Sequence, residues 1–177
     1  MLPPATYIQV VAVCQQINQL TGQLHGALTQ LNPQTLFDTS NYLPVHFTIY
    51  EVAPKKVIDS LGEERTWQQF DPRLLWTLDA MREYFNRKIY VNHAGLQNRG
   101  LRPAENSTIE WSQHTAGRAA DFTVDGLTDA EVQKTILDKQ KSVPAFRFIA
   151  AIEADTDGWT HIDIRNSCVD TILIFSK

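Results

Sequence analysis

The chain has 177 residues, 43% of them apolar, with a formal charge of −4 and a pI near 5.7. That length buries one proper core and sits near the upper end for one compact domain, while the acidic balance offers no basic footprint for nucleic acid or an anionic membrane surface. No apolar run approaches the roughly 20 residues of a membrane-crossing helix, and Cys14 and Cys168 stand far apart in no CxxC arrangement, which excludes a disulfide framework or a thiolate metal site.

Residues 5 to 31 carry an apolar seam, Val13, Ile17, Leu20, Leu24, Ala27 and Leu31, in steps of four and three among Gln, Asn and Thr. That is the period of an amphipathic helix. Fewer than three heptads fit on the seam, so packing on its own domain outranks an oligomer formed through this helix, which stays as the alternative. Asn32-Pro33 stops the helix. The mildly apolar start, Tyr7 to Cys14, lacks a basic flank, since the first Lys or Arg is Lys55; synthesis in the cytoplasm without a signal peptide is the expectation. Residues 32 to 46, with Pro33 and Pro44, read as a linker. The chain thus divides into an N-terminal helix and linker, 1–46, and a main domain, 47–177.

In the main domain, Asp71-Pro72 is an N-cap followed by proline at the first helical position. The helix it opens buries Leu74, Leu75, Leu78, Met81 and Phe85 and ends near Arg87. Strand candidates follow at Lys88 to Asn92, Ala119 to Val124, Phe146 to Glu153 and Trp159 to Arg165, all rich in β-branched and aromatic residues. A fifth, Thr171 to Phe175, is apolar enough to read as a buried strand. Between the second and third lies a helix capped by a Thr128–Glu131 box, with Val132, Ile136 and Leu137 facing inward. Helices and strands mix without strict alternation, which predicts an α+β fold with a small, mainly antiparallel sheet flanked by helices.

The chemistry concentrates in Ser112-Gln113-His114-Thr115-Ala116-Gly117-Arg118-Ala119-Ala120-Asp121, followed by Trp159-Thr160-His161-Ile162-Asp163-Ile164-Arg165. Two imidazoles and a carboxylate, His114, His161 and Asp121, suffice as the protein ligands of a catalytic zinc with a fourth position open. On a helix His114 and Asp121 would lie about 10 Å apart along the axis. On one continuous strand they would face opposite sides. A turn between them is required, and Gly117 is free to take the positive φ that folds the chain back. His161 and Asp163, two apart on a predicted strand, share a face, so Asp163 is placed to orient the His161 ring.

The pattern SxHxxGxAxD followed by WxHxDxR resembles peptidase family M15, the family of zinc D-alanyl-D-alanine carboxypeptidases and related peptidoglycan endopeptidases and, distantly, of the hedgehog signalling domain. It is similar in particular to the branch of short carboxypeptidase-like proteins common in phages and bacteria. Phe47 to Val52, Asp71-Pro72-Arg73-Leu74-Leu75, Arg99-Gly100-Leu101-Arg102 and the two motif blocks recur in that order, so the resemblance spans about residues 47 to 175. It implies a hedgehog/D-Ala-D-Ala-peptidase-like fold, with Zn2+ held by His114, Asp121 and His161. It also implies that Arg102, with Arg99 as a second candidate, grips a substrate carboxylate through the guanidinium fork. The reaction implied is zinc-dependent hydrolysis of a peptide bond in peptidoglycan stem peptides or cross-links. Ser112, Gly117 and Arg165 stand in the motif blocks as supporting residues, Arg165 as a partner for Asp163.

One position departs from the family. Its better-studied members carry Glu or Asp three residues before the second zinc histidine, and here that residue is Gly158. The base then falls to Glu153, Asp155, Asp157 or Asp163, with Glu153 favoured because a carboxylate that closes the apolar run FIAAIE needs a reason to be there. The departure, together with the hydrophobic N-terminal helix, also motivates a reading from another class, a zinc-binding but catalytically silent structural or binding component of a phage or phage-like particle. An enzyme of this kind without its own export signal requires a phage lysis partner, or incorporation in a particle, to reach the cell wall. Trp111 and Trp159 flank the ligand segments and read equally as cleft walls or as core.

Overall fold

The computed structural model describes Gln16, Leu20, Thr39 and residues 41–176 except 94, 108–110 and 167–170. The seam read at 5–31 and most of the expected linker lie outside the described residues. The chain divides into two compact units, Met1–Asp38 and Thr39–Lys177, and the second carries everything that follows. Among the described residues, no helix is long and apolar enough to cross a membrane.

Short helices α1 (Ile49–Val52), α2 (Lys55–Leu61) and α3 (Glu63–Trp67) lead to α4 (Pro72–Phe85). Helix α4 begins where the Asp71 carboxylate accepts the Arg73 N–H at 3.0 Å and Pro72 fills a position that needs no donor. It ends at Asn86, in the left-handed conformation with φ 48°, which a short polar side chain tolerates. Leu74, Leu75, Leu78 and Met81 are buried as their spacing requires, and Phe85 is half-buried. Asp79 on the same helix is also buried. Its carboxylate accepts from the Tyr42 hydroxyl (2.7 Å) and from the N–H groups of Val45 (2.6 Å) and His46 (3.1 Å), which satisfies the charge and ties residues 42–46 to α4.

Strands β1 (Ile89–Tyr90), β2 (Ala119–Val124), β3 (Ala151–Glu153), β4 (Thr160–Asp163) and β5 (Leu173–Phe175) form one sheet in the order β1-β2-β4-β3-β5. All neighbours are antiparallel except β3 and β5. Helix α5 (Asp129–Lys139) follows β2, capped by the expected Thr128–Glu131 box. The period of two then sorts the sheet into faces. Ala120, Phe122, Val124, Ile152 and Ile162 join α4 and α5 in one hydrophobic core. On the opposite face of the same strands stand Asp121, Glu153, His161 and Asp163, beside the small residues Ala119 and Ala151. The fold is α+β, with a mainly antiparallel sheet.

Several segments differ from their sequence-based expectation. The strand expected over Phe146 to Glu153 shrinks to Ala151–Glu153. Pro144 opens a 3₁₀ turn, Pro144–Phe146, because it has no N–H to give to a ladder, and Phe146 instead packs edge-on against Tyr84 with ring centroids 4.9 Å apart. The last strand was expected to be buried, yet Leu173 is 44% and Ile174 55% exposed: β5 is an edge strand, paired with β3 on one side alone. Leu137, expected inward, is 37% exposed. Val132 and Ile136, one turn apart, take the buried stripe, and the next residue lies about 100° round the helix.

Candidate metal centre

Between Ser112 and Gly117 the chain reverses direction. The N–H groups of Ala116, Gly117 and Arg118 donate to the carbonyls of Ser112 (3.2 Å), His114 (3.1 Å) and Gln113 (2.8 Å). Gly117 sits at φ +65°, and a Cβ there would lie 2.0 Å from the Gln69 carbonyl oxygen, so backbone conformation and close approach both demand glycine. Its own carbonyl accepts the Asp71 N–H at 3.0 Å, which fastens the turn to the start of α4. Strand β2 then carries Asp121 to a position directly opposite His161 on β4. Counting along the ladder from the Ile164 N–H to Arg118 carbonyl bond (3.0 Å), Asp121 and His161 form a non-hydrogen-bonded pair, the kind whose side chains lie closest. The Asp121 N–H donates instead to the Arg99 carbonyl at 2.7 Å.

His114, Asp121 and His161 converge. His161 Nδ1 lies 2.7 Å from Asp121 Oδ1 and 3.3 Å from His114 Nε2, and His114 Nε2 lies 3.3 Å from Asp121 Oδ1. Each ring is oriented from behind. His114 Nδ1 lies 2.9 Å from the Gly100 carbonyl and donates to it, which leaves the Nε2 lone pair facing the centre. His161 turns Nε2 towards Asp163 Oδ2 at 3.4 Å and Nδ1 towards the centre. Tetrahedral coordination at zinc distances separates ligand atoms by about 3.3 Å. Two of the three spacings match that edge and the third is shorter, so the donor set fits one small divalent cation.

The electrostatics favour positive charge at this point. Burial alone would raise the Asp121 carboxyl, but the imidazoles of His114 and His161 beside it hold it well below the usual carboxylate range. Burial lowers His161, and the carboxylates of Asp121 and Asp163 overcome that and push it up to about 9. Asp163, fully buried, would be raised by burial but is held down by Arg165, whose Nε lies 2.7 and 3.0 Å from its two oxygens and whose Nη2 also donates to it. Arg165 supports Asp163, and Asp163 supports His161.

The three residues open onto a cleft of about 260 Å³ that Arg102, Trp111, Ser112, Gln113, Glu153, Arg165 and Phe175 also line. Arg102 reaches Asp121 Oδ2 at 3.5 Å and keeps a quarter of its side chain exposed. Glu153 is buried at 7% exposure. Ladder pairs Ala151–Asp163 and Ile152–Ile162 place it, one step further along, opposite His161 and on the same face.

Other candidates are elsewhere. The Arg99 guanidinium lies over the Trp159 ring, 5.5 Å from its centroid, and is not among the residues that line the cleft. Asp163 does not line it either: the Arg165 guanidinium engages both of its oxygens, and Oδ2 faces His161 Nε2. Asp155 and Asp157 are exposed in the β3–β4 connection, and Gly158 and Trp159 line a different hollow with Phe122 and Val132. Trp111, 83% exposed, stands in the cleft wall. Sequence reading did not foresee Phe175, whose ring meets His161 edge-on with centroids 5.7 Å apart and lies under the Arg165 guanidinium.

A sequence model of the family described as Peptidase M15 matches residues 45–163, the segment that contains α1 to β4 and all three converging residues. No curated protein and no solved structure matches the chain. The family match covers well over half of the chain, and with the histidines and aspartate of its motif blocks gathered at one point, the chain belongs to the peptidase M15 family.

Proposed function

We propose that the protein is a zinc-dependent peptidase that hydrolyses peptide bonds in peptidoglycan stem peptides or cross-links, with His114, Asp121 and His161 as the metal ligands. The convergence of these three side chains within 2.7 to 3.3 Å of one another, at the floor of a cleft in a member of a peptidase family, carries the reading. Zinc, when bound there, supplies Lewis acidity towards a carbonyl oxygen and makes a water molecule more acidic.

The chain's own residues supply the rest. Glu153 takes a proton from the attacking water and returns it to the departing amine as the C–N bond breaks. Its support is the register that sets it beside His161 and its place in the cleft lining, while Gly158, where the family's better-studied members carry the acid, faces another hollow. Arg102 grips a substrate carboxylate through its guanidinium fork.

The test is release of new amino groups from purified peptidoglycan, with and without added zinc. Zinc-dependent release is expected from the wild type and not from His114→Ala. Glu153→Gln is expected to retain zinc while its rate falls by about 10²- to 10⁴-fold. The competing reading, a zinc-bearing structural component of a phage-like particle, rests on Gly158 at the usual acid position. Wild-type protein that holds zinc yet releases nothing from several wall types would decide for it.

A further inference from the structure

Asn92 follows β1 and lies outside the cleft, buried at 6% exposure. Its side-chain oxygen Oδ1 accepts two consecutive backbone donors, the N–H groups of Arg99 (3.0 Å) and Gly100 (3.3 Å). Its own N–H donates to the Glu51 carbonyl at 2.7 Å, which fastens it to α1.

What those donors belong to matters for the metal centre. The peptide unit between Arg99 and Gly100 is planar, with its N–H on Asn92 and its carbonyl accepting the Asp121 N–H at 2.7 Å. The next unit, between Gly100 and Leu101, gives its N–H to the Val52 carbonyl at 2.9 Å and accepts His114 Nδ1–H at 2.9 Å. Two successive rigid plates therefore carry the acceptors that set Asp121 and His114, and each is clamped at its far edge. Gly100 admits no side chain in this arrangement, because a Cβ would lie 2.0 Å from the Val52 oxygen.

The amide of Asn92 is used one-sidedly. Oδ1 has two donors, while Nδ2 is buried with no hydrogen-bond partner among the described residues. An unpaired buried donor is costly, so the oxygen is the part of the side chain that the site requires.

We propose that Asn92 is a positioning residue of the metal centre: its Oδ1 holds the Arg99–Gly100 segment so that the two following carbonyls fix Asp121 and the His114 tautomer. The inference rests on the metal-site reading above but reaches beyond the residues that face the cleft. It predicts that an acceptor oxygen suffices at this position and that an amide nitrogen is dispensable.

The test compares Asn92→Leu, which removes the acceptor at similar size, with Asn92→Asp, which keeps it. The first readout is zinc affinity by competition with a chelator. The second, in metal-free protein, is the pair of His114 ring ¹⁵N shifts, which report which nitrogen carries the proton. Asn92→Leu is expected to bind zinc about 10- to 100-fold more weakly and to lose the single Nδ1–H tautomer, and Asn92→Asp to match the wild type in both. Should Asn92→Leu fail to fold, Asn92→Ser, whose hydroxyl falls short of both N–H groups, takes its place. Wild-type tautomer and affinity without the acceptor would overturn the proposal, as would an Asn92→Asp protein that is folded but equally impaired. A wild type that takes no zinc would sink the metal reading, and the tautomer shift would still decide the role of Asn92.

Discussion

Gly117 carries two constraints and Gly158 one, and the difference makes a paired test. Alanine at either position must adopt a positive φ, which costs about 1–2 kcal/mol. At Gly117 the new Cβ also meets the Gln69 oxygen at 2.0 Å, whereas at Gly158 nothing among the described residues lies within 4 Å. Gly117→Ala is therefore expected to lose about 2 kcal/mol or more in urea denaturation and, because the turn presents His114, to bind zinc more weakly. Gly158→Ala is expected to lose about 1 kcal/mol with zinc affinity and hydrolysis unchanged. A loss of hydrolysis in Gly158→Ala at full zinc occupancy would show that this position still serves the chemistry. At this scale the convergence of the candidate ligands was legible, because strand parity and the need for a turn leave few ways for His114, Asp121 and His161 to meet. Glu153 was legible as a carboxylate at the end of an apolar run. Asn92 and Gly100 were not, since the Asn92 side chain engages backbone N–H groups and Gly100 acts through its own carbonyl, groups that every residue type possesses. The contact of Arg99 with Trp159, sixty residues on, was not legible, because no local pattern links the two.

At the scale of elements, α4 and the ligand turn are one assembly, joined through Asp71. Its side chain caps the helix and pairs with the Arg73 guanidinium at 2.7 Å, while its N–H holds the Gly117 carbonyl. Burial would raise the Asp71 carboxyl, but the hydrogen bonds from Arg73 pull it below the ordinary carboxylate range. A carboxyl whose folded pKa is depressed stabilises fully above its unfolded value, about 4, and that contribution disappears as pH falls through the lower folded value. Asp71→Asn keeps a cap acceptor and loses the ion pair, so it is expected to cost about 1 kcal/mol at pH 7, a difference that closes on acidification below the unfolded value. A deficit independent of pH would mean that shape, not charge, matters there. The same helix was the most legible element of the sequence, since cap, proline and apolar stripe agree. Helices α1 to α3 were not read, being too short for a 3.6-residue period to declare itself. The strand boundaries failed where a proline or a sheet edge, neither a matter of hydrophobicity, set the limit.

Over the whole domain, the sheet separates two tasks. Its core face, with α4 and α5, holds the apolar cluster, and its other face holds the acidic and imidazole groups. The apolar cluster is large enough that the fold is expected to stand without metal, unlike a small zinc-stapled module. Metal binding at the proposed site would nonetheless link to stability, because the candidate ligands converge only when the turn, β2 and β4 are in place. A ligand present at 100 times its dissociation constant adds about 2.7 kcal/mol to the folded state. For a domain of this size that corresponds to a rise in melting temperature on the order of 10 °C. Chelation is therefore expected to lower the melting temperature of the wild type by about that amount while leaving one cooperative transition, and to leave His114→Ala unmoved. If purified wild-type protein carries no metal, and neither added zinc nor chelator shifts its melting curve, the assignment of His114, Asp121 and His161 as ligands fails, and their convergence must be explained as a buried charge network around His161.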